Sequence, residues 1–471
     1  MTEYYRYPQQ QVEEYVWSPV EKKRNDALWA PITNAGTPAP FSRPGQTSTP
    51  EHTRPPVRRS DHPLPAGPAR QGTGPDHGVV RTVGVEEELL VVDSSGVPVP
   101  EGPDALAVAA RRGEGEDVEQ HDRAERGEPD GAPESAHLSP ELKAQQVELG
   151  TPVCTTLQEV LDQLRHWRRR ADAAAVAVGA RVAALATSPV AVASVPTGGE
   201  RYTRLMDTFG QTARDVLTCG CHVHVSVADD EEGVAVLNRI RVWLPVLTAL
   251  TANSPFWQGE DTSYASFRSQ VWQRWPSAGP NDPFTDAADY HRVVDAMLAT
   301  GTVFDAGMVY FDARLSATWP TVEVRSADVA LRVEDAVTLA GLVRGLVETA
   351  ARDARDGGAA PDVRTEVLRL AAWRAGRCGL TGELVHPRTG RPAAAADVLT
   401  DLLDHVRPAL ADAGDEDTVS AGVAALLERG TGADLQRQVH QETGDLAAVV
   451  RAAVATTAGE PTPRAASGGS R

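Results

Sequence analysis

Lysine is nearly missing from this chain: of its 46 basic residues among 471, only Lys22, Lys23 and Lys143 are lysines. A phosphate loop of the G-x-x-x-x-G-K-[ST] type therefore has no lysine to use, because Lys143 is followed by Ala144. No G-x-G-x-x-G stands between a strand and a helix, and H-E-x-x-H and G-x-S-x-G are absent too. Thiols are as scarce. Cys154, Cys219, Cys221 and Cys378 form no C-x-x-C pair and no disulfide framework. Positive charge is short, at 46 Lys+Arg against 65 Asp+Glu, a net of −19. Such a surface repels phosphate backbones and anionic lipid heads, which excludes nucleic acid and membrane as main partners. Long apolar runs are absent as well: residues 171–186 are broken by Asp172 and Arg181, and the N-terminus has neither a basic n-region nor an apolar h-region. The chain reads as soluble, reduced and cytoplasmic.

Composition divides the chain into three parts. Residues 1–77 are rich in Pro, Arg, Gly, Ser and Thr without apolar periodicity and read as a disordered extension. Tyr4, Tyr5, Tyr7 and Tyr15, half of the eight tyrosines, crowd its start with Trp17 and Trp29. This aromatic tail is either unselected or a docking motif for an unknown partner. A folded body is expected over 78–458, interrupted by an acidic stretch at 111–137 that reads as a mobile surface loop. A small-residue tail, also read as disordered, closes the chain over 459–471.

Within the body, alternation and β-branched density predict strands over 82–93, 143–150, 182–187, 219–227, 308–315 and 321–327. A capping box, Thr156-x-x-Glu159, opens a helix running to about residue 180. Further helices are predicted over 232–252, 286–300, 333–355, 363–374, 395–411 and 435–454. Strands gather before residue 330 and helices after it, which favours α+β with a mainly antiparallel sheet over a doubly wound fold.

Four strands each carry a polar and an apolar face. In TVGVEEELLVVD (82–93), Glu86 and Glu88 share a face about 6.5–7 Å apart, while Glu87 points the other way. Two carboxylates on one concave face call for a divalent cation; the competing reading is an edge strand with a charged outer side. In CGCHVHVSV (219–227), His222 and His224 share a face against an apolar back that includes Cys221, so they meet a ligand, a substrate or solvent. TVEVRS (321–326) pairs Glu323 with Arg325 in front of Val322 and Val324, and QQVEL (145–149) offers Glu148. Turned to one side, these strands form a trough of Glu86, Glu88, Glu148, His222 and Glu323 with Arg325 at its rim. That donor set suits Mg²⁺ or Mn²⁺, which bridge phosphate oxygens, and lets a chain without a glycine loop bind ATP. The long aromatic connection at 253–279 contains Trp257, Trp272 and Trp275 and suggests a binding loop. Arg268 within it is a candidate for a bidentate grip on a substrate carboxylate, with an ordinary surface arginine as the alternative. Arg314 is a weaker candidate of the same kind.

GVEEE (84–88), CGCHVH (219–224), ANSPFW (252–257), YASFRSQVW (264–272) and TVEVR (321–325) resemble, in order, the bacterial carboxylate–amine ligases of the glutamate–cysteine ligase type 2 family. The resemblance spans about 82–456. It implies a glutamine-synthetase-like fold, a curved antiparallel sheet forming a funnel with helices outside, and ATP- and Mg²⁺-dependent amide formation through an acyl phosphate. By the same resemblance Glu86, Glu88, Glu148, His222 and Glu323 hold metal and phosphate. Arg325 contacts phosphate or acyl phosphate, and Arg268 the carboxylate substrate. Arg314 and His224 are placed with the substrate. The family's pair is L-glutamate and L-cysteine; another amine is open, and family precedent allows a homodimer. Two readings compete: a hydrolase using His222 and His224 as an H-x-H metal pair, and a non-catalytic binding protein on a ligase scaffold.

Overall fold

Residues 80–125 and 137–460 are described by a computed structural model; the expected extension over 1–77 and residues 461–471 of the tail lie outside them. The run VGVEEELLVV folds as β1 (Val83–Val92). It is joined in one sheet by β2 (Leu138–Pro140), β3 (Gln146–Gly150), β4 (Arg181–Ala183), β5 (Gly220–Ser226), β6 (Ala313–Leu315) and β7 (Thr321–Asp328). The order is β2-β3-β1-β5-β7-β6, with β4 pairing the end of β1, and every pairing is antiparallel. The α+β architecture is as expected, but β1 is a central strand. The edge-strand reading of its three glutamates fails.

One face of this sheet is core. Val83, Val85 and Leu89 of β1, Cys221, Val223 and Val225 of β5, and Val322 and Val324 of β7 are buried there. The helices Leu157–Val176 and Val333–Arg355 pack on it. The first opens on the predicted capping box, in which Thr156 accepts from the Glu159 N–H and Glu159 reaches back. The second matches its predicted bounds and is buried nearly all round, as a core helix must be. Among these apolar groups lies one full ion pair. Arg168 donates from Nε and Nη2 to Glu87 at 2.7 Å each and also bonds the Leu331 and Ala330 carbonyls.

Elsewhere the chain departs from its pattern for local reasons. The helix expected over 232–252 breaks into Asp230–Ile240 and Leu244–Leu250, bent by 68°. Pro245 sits in the first turn of the second piece, where its missing N–H costs nothing, though it would break a continuous helix. The helix expected over 435–454 is likewise two, Gly432–Thr443 and Leu446–Thr457, because Gly444 adopts a left-handed φ of 66° and ends the first. Helices Gly102–Arg111, Glu200–Phe209 and Glu416–Arg429 were not expected. The stretch 111–137 is not a mobile loop where it is described. Val118–Glu125 is helical, Glu114 is buried and paired with Arg170, and Glu116 is buried against His121 at 2.8 Å. Among the described residues no single helix is long and apolar enough to cross a membrane.

Candidate active site

The opposite face of the sheet carries a row of charged groups set by strand register. Glu148 on β3 pairs with Glu88 on β1, Glu86 on β1 with His222 on β5, His224 on β5 with Glu323 on β7, and Glu323 with Arg314 on β6. Directly paired residues of an antiparallel ladder point to the same side, so five strands deliver one trough. The ladder is irregular between Cys221 and Val223, where Arg325 and Ser326 of β7 lie against the single residue His222. This bulge turns Arg325 toward His222 and Glu323. Glu323 is the meeting point of two arginines: Arg314 Nε donates to it at 2.7 Å, and Arg325 is paired with its other oxygen. Arg314 is itself fixed by the Gly307 and Val309 carbonyls at 2.7 and 3.1 Å.

Burial and pairing separate the carboxylates into two kinds. Burial would raise the pKa of Glu323, but Arg325 and Arg314 pull it down to about 2. For Glu86 burial is likewise outweighed, by His224 and His222, which hold it well below the usual carboxylate range. Glu88 goes the other way: burial and the nearby Glu141 push it up to about 7, despite Arg268 and the Gly220 N–H at 2.7 Å. Glu148 is likewise raised well above the usual carboxylate range by burial and by the charges of Glu86 and Glu141. Burial and Arg325 lower His222 to about 4, so it is a neutral imidazole at pH 7. Burial also opposes the charge on His224, yet Glu86 and Glu323 raise it.

The donor atoms fit a divalent cation. Glu86, Glu148 and His222 each offer one ligand atom within 4.8 Å of the others, and so do Glu86, His224 and Glu323. His222 Nε2 and His224 Nε2 are both buried without a hydrogen-bond partner among the described residues. A buried imidazole nitrogen without a hydrogen-bond partner beside carboxylates is a donor of the kind a divalent cation takes. The two histidines fall in different clusters, so the H-x-H pair of the hydrolase reading does not form.

A cleft of about 260 Å³ opens over the row and is lined by Glu86, Glu148, His222, Arg314 and Arg325. Arg268, expected at a substrate carboxylate, does not line it. Its side chain is 2% exposed and lies behind Gly220, with its guanidinium over Trp272 at 5.4 Å. A Cβ on Gly220 would stand 2.3 Å from Arg268 Nη2. Gly220→Ala should therefore displace a buried guanidinium and lower stability by about 1–3 kcal/mol, the cost of overpacking. Urea unfolding reads this directly; an unchanged midpoint would show that Arg268 has room to move.

Sequence reasoning missed a second wall. Glu141 and Leu142 from the β2–β3 connection, and Arg201, Tyr202 and Leu205 from helix Glu200–Phe209, also line the cleft, with Trp272, Trp275 and Tyr310. The aromatic connection at 253–279 thus supplies two of its three tryptophans to the cleft, while Trp257 packs on Phe267 at 5.9 Å. The one available signal for Glu141 was an acidic residue two positions before a buried lysine, Lys143, which donates at 2.8 Å to Ser194 and at 2.6 Å to the Ala213 carbonyl.

A wholly antiparallel sheet thus carries a carboxylate–histidine–arginine row on its open face. The family described as Glutamate-cysteine ligase family 2 matches residues 82–452, and the chain belongs to it. It is 49% identical over 379 residues to "Putative glutamate--cysteine ligase 2-1" of Paenarthrobacter aurescens, covering 80% of this chain and 95% of that one. It is also 49% identical over 378 residues to "Putative glutamate--cysteine ligase 2" of Streptomyces coelicolor, covering 80% and 99%. The fold matches the glutamate–cysteine ligase of Francisella tularensis solved in complex with AMP, with a TM-score of 0.56 at 12% identity over 82% of this chain and 91% of that one. It also matches a bifunctional glutathione synthetase from Pasteurella multocida, with a TM-score of 0.57 at 16% identity over 80% and 52%.

Proposed function

We propose that this cleft joins the γ-carboxyl of L-glutamate to an amine, L-cysteine being the family's partner, at the expense of ATP. The observation that carries the reading is the register-aligned row from Glu148 to Arg314 with ionised Glu86 and Glu323 at its centre. A carboxylate resists nucleophiles, so the γ-phosphoryl of ATP is first transferred to it, giving an acyl phosphate and ADP. Glu86, Glu148, His222, His224 and Glu323 are the residues that would hold Mg²⁺ or Mn²⁺, with Glu88 beside them. When bound, the ion neutralises phosphoryl oxygens. Arg325, kept cationic by Glu323, faces the same space and stabilises phosphoryl charge. The amine enters as an ammonium and gives up one proton before attack and a second as the C–N bond forms. Phosphate leaves with the C–O electron pair.

Phosphate release from ATP that requires Mg²⁺, L-glutamate and L-cysteine together would establish the reaction; release indifferent to glutamate would refute it. Protons should move as well. Glu88, at about 7, is part protonated near neutrality and must lose its proton to serve a cation, and burial with its acidic neighbours raises Glu148 as well. Mg²⁺ affinity should therefore rise with pH through 7, by about tenfold per unit for each proton released. Calorimetry in two buffers of different ionisation enthalpy counts those protons, and a count of zero at pH 6.5 would remove Glu88 from the ion's neighbourhood.

A further inference from the structure

One end of the cleft is apolar. Three rings stand together there: Trp272 and Tyr310 at 5.0 Å between centroids, Trp275 and Tyr310 at 5.7 Å, and Trp272 and Trp275 at 6.3 Å. Leu205 and Val216 extend the same wall. Trp275 is 2% exposed, and its Nε1–H is buried with no acceptor among the described residues. Glu141 lines the cleft too, near enough to this end and to the metal row for its charge to act on Tyr310, Glu88 and Glu148.

We propose that this end receives the amine, and that the amine carries an aromatic or branched-alkyl body larger than the side chain of cysteine. The proposal rests on the ligase reading above. A wall of three rings, a leucine and a valine gains by covering apolar area, and the two heavy atoms of a cysteine side chain cover little of it. Glu141 then takes the ammonium at the boundary between the apolar end and the phosphoryl row, where the nitrogen must attack. The same carboxylate argues against adenine stacking here, since Glu141 would repel the phosphates that follow the base.

Hydroxylamine separates the two readings. It is small and uncharged near pH 7, and it traps an acyl phosphate as the hydroxamate without needing the apolar end. The full chain with Mg²⁺, ATP and L-glutamate should form hydroxamate. It should then use phenethylamine, isoamylamine or L-phenylalaninamide with kcat/KM at least about tenfold above L-cysteine, the discrimination an apolar pocket gives for a methylene or more. Trp272→Ala should lower kcat/KM for these amines at least about tenfold more than any loss for hydroxylamine. Glu141→Gln should lower kcat/KM for the charged amines at least about tenfold more than any loss for hydroxylamine. Hydroxamate formation with L-cysteine as the best amine overturns the proposal. So does Trp272→Ala acting on the KM for ATP. Absence of hydroxamate defeats the ligase reading itself.

Discussion

Glu323→Gln should reduce glutamate-dependent ATP turnover by about a thousandfold or more, equivalent to about 4 kcal/mol of barrier. Glu323 is bound to Arg314 through Nε at 2.7 Å and to Arg325 on its other oxygen, and it shares a ligand cluster with Glu86 and His224. An amide keeps one acceptor oxygen and turns an N–H₂ toward whichever arginine loses the other. Both guanidiniums then lose their anion, and the cluster loses one of its two ionised carboxylates. Phosphate release with the circular dichroism spectrum as a check on folding tests this. A folded variant within about tenfold of the parent, less than 1.4 kcal/mol, would mean that Glu323 only orders the arginines. Glu148→Gln should be milder, because burial and its acidic neighbours already disfavour the ionised form of Glu148.

Arg168→Met should have the largest effect on stability, about 3–5 kcal/mol, because it strands Glu87 in the core without a counter-charge. Glu87 has no exposed surface and Arg168 only 2%, so water cannot substitute for the missing partner. The double variant Glu87→Leu/Arg168→Met should regain most of the loss, since an apolar pair of similar volume needs no desolvation. Urea unfolding of the two single variants and the double gives the coupling. If Arg168→Met alone costs less than about 1 kcal/mol, the pair is not the anchor its burial implies.

Much of this was legible because strand alternation is a rigid code. Glu86 and Glu88 against Glu87, and His222 and His224 against Cys221, sorted themselves onto two faces from the sequence alone, and the register confirms each assignment. The helix at Thr156 was readable from its capping box. What escaped needed contacts between distant segments. The placement of Arg268 behind Gly220 depends on packing across about fifty residues of chain, and no local pattern distinguishes a buried arginine from an exposed one. The β7 bulge beside Arg325 has no glycine to announce it. Glu141 and helix Glu200–Phe209 lie in polar, irregular sequence and come to the cleft only through the tertiary fold. Pro245 and Gly444 were visible, but the apolar period around them masked the breaks they cause.

The three consecutive glutamates of β1 also make the strand intolerant of frame errors. Shift β1 by one residue against its neighbours and Glu87 enters the cleft while Glu86 and Glu88 are driven into hydrocarbon. Arg168 can neutralise a single carboxylate on the core side, so the shifted pairing would leave one of the two uncompensated there. The misaligned sheet is thereby excluded by charge as well as by shape.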